Sequence, residues 1–314
     1  MATSPPGVSF TAPNLNTLDR LPASLASVRA LGDALPRPYE IVVAEGPSDD
    51  GATEWLAKQS SVDPRLRVVG VAERNRGKGR RVAFEASRGA IVVPFDTSLA
   101  YDRSYAGILE RYLQVGPPRM LFSEICALPR TSIEAVGGWR DLIGGEDVDL
   151  YARIIAKFGV VAYPTGDAGT QSAKLGSVAR QMRYVRGGRW ARFRRIYAVQ
   201  RDQIIASHAT VADLMAFNAT KRFGARAARR AFFTLAAVGA RLSKIRPAAL
   251  GRNNYLIVRD GILASFLAGE WRAFYPSGAP PVLPLTDDEF IFLERRSTLF
   301  AKHRDELAPY LRRK

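Results

Sequence analysis

Residues 39–51 read YEIVVAEGPSDDG, and residues 90–98 read AIVVPFDTS. In each, a run of apolar, largely β-branched residues stops at an acid followed by turn-forming residues. Such runs are strands buried on both faces of a sheet, and the polar cluster marks where each strand ends. Working outward, residues 7–12 read as a strand that ends at Pro13. Residues 15–31 read as a helix, with Leu18, Leu21, Leu25 and Val28 at helical spacing. Helices are expected at 52–59, 79–88, 105–115, 132–136 and 148–158, and strands at 66–71, 119–128 and 160–163. This alternation over about 160 residues predicts an α/β fold, a mostly parallel sheet with helices on both faces. In such sheets ligands bind outside the carboxyl ends of the strands. Chemistry is therefore expected at residues 45–51, 96–98 and 144–149.

Composition bounds what else is present. Of 314 residues, 46 are Lys or Arg and 30 are Asp or Glu, a net charge of +16. The first 174 residues hold 20 of each sign, so the whole basic excess follows residue 174. A neutral unit joined to a basic one faces an anionic partner, either lipid headgroups or nucleic acid. No nucleic-acid-binding motif accompanies the charge, so lipid is the expected partner and nucleic acid is not. The single cysteine, Cys126, sits in an apolar run and is expected as a buried core thiol. It excludes an intrachain disulfide and a cysteine zinc site, and it fits a reducing, cytoplasmic setting. The opening MATSPPGVSF lacks the basic start and long apolar core of a secretory signal.

After about residue 175 the strand pattern is lost. Arginines stand at 180, 183, 186, 189, 192 and 195, with Tyr184, Trp190, Phe193 and Tyr197 between them and Gly187 and Gly188 as an interruption. Helices are expected at 211–217, 227–242 and 255–271. A Pro-rich stretch then leads to a terminal helix at 287–311. The apolar run at 231–240 is half the ~20 residues a membrane span needs. Together with 255–269 it fits an interfacial or half-buried helix better than a span, either peripheral to a membrane or as a helical cap packed on the first domain.

Five motifs occur in one order: VSFTAPNLN, EIVVAEGPSDDG, RNRGKGRRVAFEASRG, VVPFDTS and VGGWRDLIGGEDVDLYARI. In this order the chain resembles the family 2 glycosyltransferases over roughly residues 7–167. The resemblance implies a GT-A, Rossmann-like domain over residues 1–174, followed by a basic, mainly helical region over 175–314. It implies transfer of a sugar from a nucleoside diphosphate sugar to a lipid-linked or glycan acceptor, with inversion, at the inner face of the cell membrane.

Roles follow residue by residue. Pro13 and Asn14 would border the nucleotide sugar, and Glu45 would take the base or ribose, where the family carries Asp. Arg76, Lys78, Arg80 and Arg81 flank two glycines, where cations can meet a diphosphate; Lys78 and Arg81 are taken as the binding pair. Asp96 would hold the donor through Mg²⁺ or Mn²⁺. The second Asp of the family's Asp-x-Asp is Ser98 here, a poor substitute ligand. That leaves three readings open: a weakly held metal, metal-free transfer relying on the basic loop, or binding without catalysis. Asp147 would be the base that deprotonates the acceptor, with Glu146 beside it. Gly138 and Trp139 would line the acceptor side, with core packing as the other reading of Trp139. Asp49 and Asp50 read as turn or capping residues, Asp149 as structural, and His208 and His303 as outside the chemistry.

Overall fold

The computed structural model describes residues 7–103, 105–115, 118–122, 125–162, 187–217 and 223–245, with the single positions 185, 287, 291 and 305. The expected helices at 255–271 and 287–311, the Pro-rich stretch between them, His303 and the arginines at 180, 183 and 186 lie outside the described residues, apart from those single positions.

The five-stranded sheet is ordered β3-β2-β1-β4-β6. Strands β1 (Val8–Asn14), β2 (Tyr39–Glu45), β3 (Leu66–Gly70) and β4 (Ile91–Pro94) are parallel, and β6 (Leu128–Pro129) runs antiparallel to β4. A second sheet pairs β5 (Met120–Phe122) with β7 (Val160–Ala162) in parallel. The α/β fold with a mostly parallel sheet is as expected.

Alternation along the strands feeds two cores. Phe10, Ile41, Val43 and Val93 pack with Leu21, Leu25 and Val28 of α1 (Leu21–Asp33) and Leu109 of α4 (Tyr105–Val115). On the other face, Val42 and Ala44 meet Ala83 of α3 (Arg76–Ala86). Val92 and Leu128 meet Ile133 of α5 (Arg130–Ala135) and Leu150 and Ile154 of α6 (Glu146–Phe158). Helix α2 (Ala52–Val62) packs on the edge strand β3. Cys126 is buried, as expected, and forms no disulfide.

Two elements differ from the sequence reading. First, α1 starts at Leu21 rather than at 15. Asn16 takes a left-handed φ of 52°. Asn16 Oδ1 accepts from the Asp49 amide at 2.8 Å, and Asp50 Oδ2 accepts from the Leu18 amide at 2.8 Å. These bonds hold 15–20 as a loop facing the 46–50 turn, and Pro22 then starts the helix. Second, the expected strand at 119–128 is two strands. The Leu121 and Ala127 amides and carbonyls exchange hydrogen bonds of 2.8 and 3.2 Å, which turns the chain back on itself.

Helix α3 begins at the sheet's carboxyl edge. Asn75 caps it, accepting from the Lys78 amide at 3.1 Å, and its side-chain amide donates to the Asp141 carbonyl at 3.0 Å. The Gly77 amide donates to the Leu142 carbonyl at 3.0 Å. The α3 start and the loop ahead of α6 are thus one unit. Behind that loop lies α7 (Arg189–Ser207), starting directly after Gly188. Asp202, buried in α7, accepts from the Ile143 amide at 2.8 Å. Helices α8 (Val211–Phe217) and α9 (Phe223–Arg241) complete the described residues, with Phe232 of α9 against Phe193 and Tyr197 of α7.

At Gly77 a Cβ would strike the Arg140 and Leu142 carbonyl oxygens and lie 2.7 Å from the Leu142 nitrogen. These are backbone atoms that cannot turn aside. Gly77→Ala is expected to destabilise the protein by about 2 kcal/mol, as overpacking does, read as a lower midpoint in denaturant unfolding. A wild-type midpoint would show that the α3 start and the 140–142 loop are not tightly joined.

Candidate functional site

Three strand ends and two helix starts converge at one edge of the sheet. Strands β1 and β2 end in register, Asn14 opposite Glu45. The Asn14 side-chain amide donates to Glu45 Oε2 at 2.6 Å, and the Thr53 hydroxyl donates to Oε1 at 3.0 Å. Burial pushes the Glu45 carboxyl up, against bonds from Ser48, Asn14 and Thr53. A shallow, open cleft lies beside these strand ends. Pro13, Asn14 and Gly46 line it together with Glu73, Arg74, Arg76 and Gly79.

Next to the cleft lies a cluster of charge. Arg76 and Arg80 stand one turn apart on α3, on the face turned toward the sheet edge. Arg76 Nε lies 2.7 Å from Glu146 Oε1, and its Nη2 lies 3.6 Å from Asp96 Oδ2 and 3.8 Å from Asp147 Oδ2. Arg80 is 4% exposed. It donates to the carbonyls of Phe95 at 2.7 Å and Thr11 at 3.3 Å, and to Asp147 Oδ2 at 3.2 Å. One buried guanidinium therefore ties the ends of β1 and β4 to the start of α6.

Glu146 and Asp147 lie in the first turn of α6 rather than ahead of it, where the helix dipole favours anions. Gly145 caps that turn at φ 75°. A Cβ there would come within 2.7 Å of Ala206 Cβ on α7, so the glycine serves both the backbone conformation and the close approach of α7. Glu146 is buried behind Arg76. Burial raises its carboxyl, and Asp147 adds to the rise while Arg76 opposes it. Asp147 is partly open and held at both oxygens: Arg80 on Oδ2, and the Trp139 indole N–H on Oδ1 at 3.0 Å.

Other expected residues stand elsewhere. Trp139 is 1% exposed, its ring against Phe84 at 5.7 Å. Its face offers no platform to an acceptor, and core packing is the reading that holds, with the indole N–H reaching Asp147. Gly138, at φ 69°, presents its carbonyl to Arg153 at 2.8 Å. Lys78 pairs with Glu73 on the cleft wall, and Arg81 pairs with Asp141 at 2.9 Å and Glu85 at 3.2 Å. Both point off the α3 face that carries Arg76 and Arg80. Asp149 is fully buried between Arg140 and Arg153, a structural position. His208 closes α7.

Asp96 follows β4 as expected. Its Oδ1 accepts from the Ser98 amide at 3.0 Å and from the Ser98 hydroxyl at 2.8 Å. Divalent cations of the Mg²⁺ type take several oxygen ligands, usually with one or two carboxylates and substrate phosphates. Here one carboxylate oxygen is bonded to Ser98 and the other faces Arg76. Among the described residues no group of three His, Cys, Asp or Glu side chains could hold a metal ion. The residues present do not fit a divalent cation.

Burial pushes the Asp96 carboxyl up, but Arg76, the Ser98 bonds and Arg80 outweigh it and hold it at about 2, against an ordinary value of 3.8. A depressed carboxyl stabilises the fold above its unfolded value and loses that contribution as pH falls through the folded one. The contribution is roughly 2 kcal/mol. Asp96→Asn should therefore be less stable than wild type at neutral pH, with the difference closing between about pH 4 and about pH 2. A pH-independent difference in denaturant melts would refute the electrostatic origin.

The family model described as glycosyl transferase family 2 matches residues 9–121. A curated relative, the undecaprenyl-phosphate 4-deoxy-4-formamido-L-arabinose transferase of Aeromonas hydrophila subsp. hydrophila, is 32% identical over 94 residues. That match spans 29% of this chain and 29% of the relative's length. Among solved structures, the mannosyltransferase PcManGT of Pyrobaculum calidifontis, in complex with GDP-Man and Mn²⁺, aligns at 18% identity and a TM-score of 0.48. The alignment covers 77% of this chain and 89% of that one. S. aureus TarS 1–349 in complex with UDP-GlcNAc aligns at 12% identity and a TM-score of 0.43, over 83% of this chain and 92% of that one. Motif order and family model agree on the α/β unit, whose residues 9–121 match glycosyl transferase family 2.

Proposed function

We propose that the chain is an inverting glycosyltransferase that takes a nucleoside diphosphate sugar as donor and a lipid-linked or glycan acceptor. In this reading residues 1–174 form the catalytic domain and 175–314 a basic helical region against the inner membrane surface. The observation that carries it is the position of Asp147 at the sheet's carboxyl edge, beside the cleft, with both oxygens oriented and the group still partly open to solvent.

The donor's nucleotide would enter the cleft between Pro13, Asn14 and the start of α3, with Glu45 behind it. Asp147 would accept the proton of an acceptor hydroxyl as that oxygen attacks the anomeric carbon. The bond from that carbon to the diphosphate oxygen breaks, and the nucleoside diphosphate leaves with the electron pair. Two donors hold Asp147, so its remaining lone pairs are aimed in advance, which is the contribution of a pre-positioned base. The relative's name, an undecaprenyl-phosphate sugar transferase, supports a lipid phosphate as acceptor.

Turnover across a panel of UDP-, GDP- and dTDP-sugars with a detergent-solubilised lipid fraction tests the reading. Asp147→Asn is expected to lower kcat by about 100-fold or more, as loss of a general base does, while donor affinity is kept. Equal turnover in wild type and variant would remove Asp147 from the mechanism. Ser98 favours one other reading, a non-catalytic nucleotide-sugar binder, which predicts donor binding without turnover for any acceptor.

The membrane part rests on the described helices after residue 188. Trp190 is 73% and Phe193 40% exposed on α7, interleaved with Arg189, Arg192 and Arg194. On α9, Leu235 and Val238 are exposed and Arg226, Arg229 and Arg230 precede them. No described helix is long and apolar enough to cross a membrane. Apolar side chains set among arginines suit an anionic interface. The protein should cosediment with vesicles containing phosphatidylglycerol and not with pure phosphatidylcholine, and salt should weaken the binding. Indifference to lipid charge would discard the membrane part and leave the transferase reading standing.

A further inference from the structure

We infer that Arg76 takes the place of a divalent cation: its guanidinium, backed by Glu146 and facing Asp96 and Asp147, meets the donor's diphosphate, so that donor binding needs no metal ion. The inference rests on the transferase reading above and concerns how that site holds its donor.

Four observations converge on this arginine. The cluster of Asp96, Glu146 and Asp147 is centred on Arg76, which lies 2.7 to 3.8 Å from a carboxylate oxygen of each. A cation among three carboxylates at the edge of the cleft is what a metal would otherwise supply. Next, Ser98 has changed what Asp96 can do. The serine hydroxyl donates to Oδ1, and with the serine amide it fixes the carboxylate with its second oxygen toward Arg76. Asp96 so held is an anchor for a guanidinium. Third, Arg76 lines the cleft with 20% of its side chain exposed, whereas the Glu146 side chain behind it is 5% exposed. The guanidinium is braced by Glu146 and reaches the lining of the cleft. Fourth, the neighbouring Arg80 is already committed to two backbone carbonyls and Asp147, with its side chain 5% exposed. Arg80 does not line the cleft, whereas Arg76 does.

The chemistry suits the task. A guanidinium stays charged at any working pH and presents several N–H donors in one plane, which matches the oxygens of a phosphate. Arg74 on the same cleft wall adds a second positive group, with its carbonyl bound to Arg195 of α7 at 2.9 Å. A diphosphate thus meets two arginines along one wall, and Glu146 remains as the counter-charge that holds Arg76 when the cleft is empty.

The test is calorimetric titration of the full chain with UDP, GDP, ADP, CDP and dTDP, once in excess EDTA and once with Mn²⁺ or Mg²⁺. The diphosphate that binds should do so with similar affinity in both conditions. Arg76→Ala should weaken it by about tenfold or more, the range of a lost charge-assisted bond. The matching nucleoside monophosphate, which lacks the outer phosphate, should lose less. Arg76→Lys should fall between. If melting shows that the alanine variant does not fold, the lysine variant and the EDTA comparison on the unaltered protein decide. Binding that vanishes in EDTA and returns with Mn²⁺ would overturn the inference and leave the transferase reading in place. Binding of no nucleoside diphosphate in either condition would overturn both.

Discussion

Three carboxylates within reach of one guanidinium set the terms for this site. Asp96, Glu146 and Asp147 arrive from two chain segments about 50 residues apart and meet where a parallel sheet ends. Left alone they would repel one another, and the buried Glu146 would carry a large desolvation penalty. Two arginines one turn apart on α3 resolve this. Arg76 is shared among all three acids, and Arg80 is buried, with two backbone carbonyls sharing its guanidinium with Asp147. The start of α3 must therefore stand in one place relative to the start of α6.

Much of the surrounding structure serves that placement. Gly79 lets α3 approach β1, where a Cβ would come within 2.8 Å of Pro13 Cβ. Asn75 and Gly77 bind the 140–142 loop, and Asp202 and Ala206 of α7 hold its continuation at Ile143 and Gly145. Helix α7 belongs by sequence to the basic region, yet it braces the loop that presents the acids. A boundary drawn by charge at residue 174 therefore divides composition more cleanly than it divides structure.

The parts that were legible in the sequence share a physical cause. Buried strands are continuous apolar runs, and an acid at the end of such a run is conspicuous, as at Glu45 and Asp96; Glu146 and Asp147 stand out only through the motif that carries the family resemblance. What escaped was set by helix phase or by tertiary contact. Four cations in RGKGRR are equivalent in one dimension. Only the start at residue 76 turns Arg76 and Arg80 inward and leaves Lys78 and Arg81 for Glu73 and Asp141. The spacing of four was visible, but the helix had been started three residues late. For Trp139 the sequence leaves acceptor lining and core packing both open, because nothing local reveals that Phe84 packs against its ring. Asp202 carried no signal, since its partner is a backbone amide 59 residues away.

A fixed guanidinium and a metal ion differ in when their charge arrives. A divalent ion commonly enters with the diphosphate, so an empty metal site exposes unpaired carboxylates to an incoming anion. A built-in arginine is present beforehand, and the acids around it are already compensated. The approaching diphosphate then meets less repulsion, but it must compete with Glu146 for the guanidinium. The burial of Glu146 sets the strength of that competition, because a buried acid that loses its cation has no water to replace it. Burial pushes its carboxyl up and Arg76 opposes the rise, so any share of Arg76 given to a diphosphate would be taken from this pair. The partly open Asp147 depends less on Arg76, since Arg80 and Trp139 hold both its oxygens. In the proposed transferase the two adjacent acids at the start of α6 would thus have separate tasks: Glu146 would hold the cation in the empty site, and Asp147 would stay aimed at the acceptor throughout.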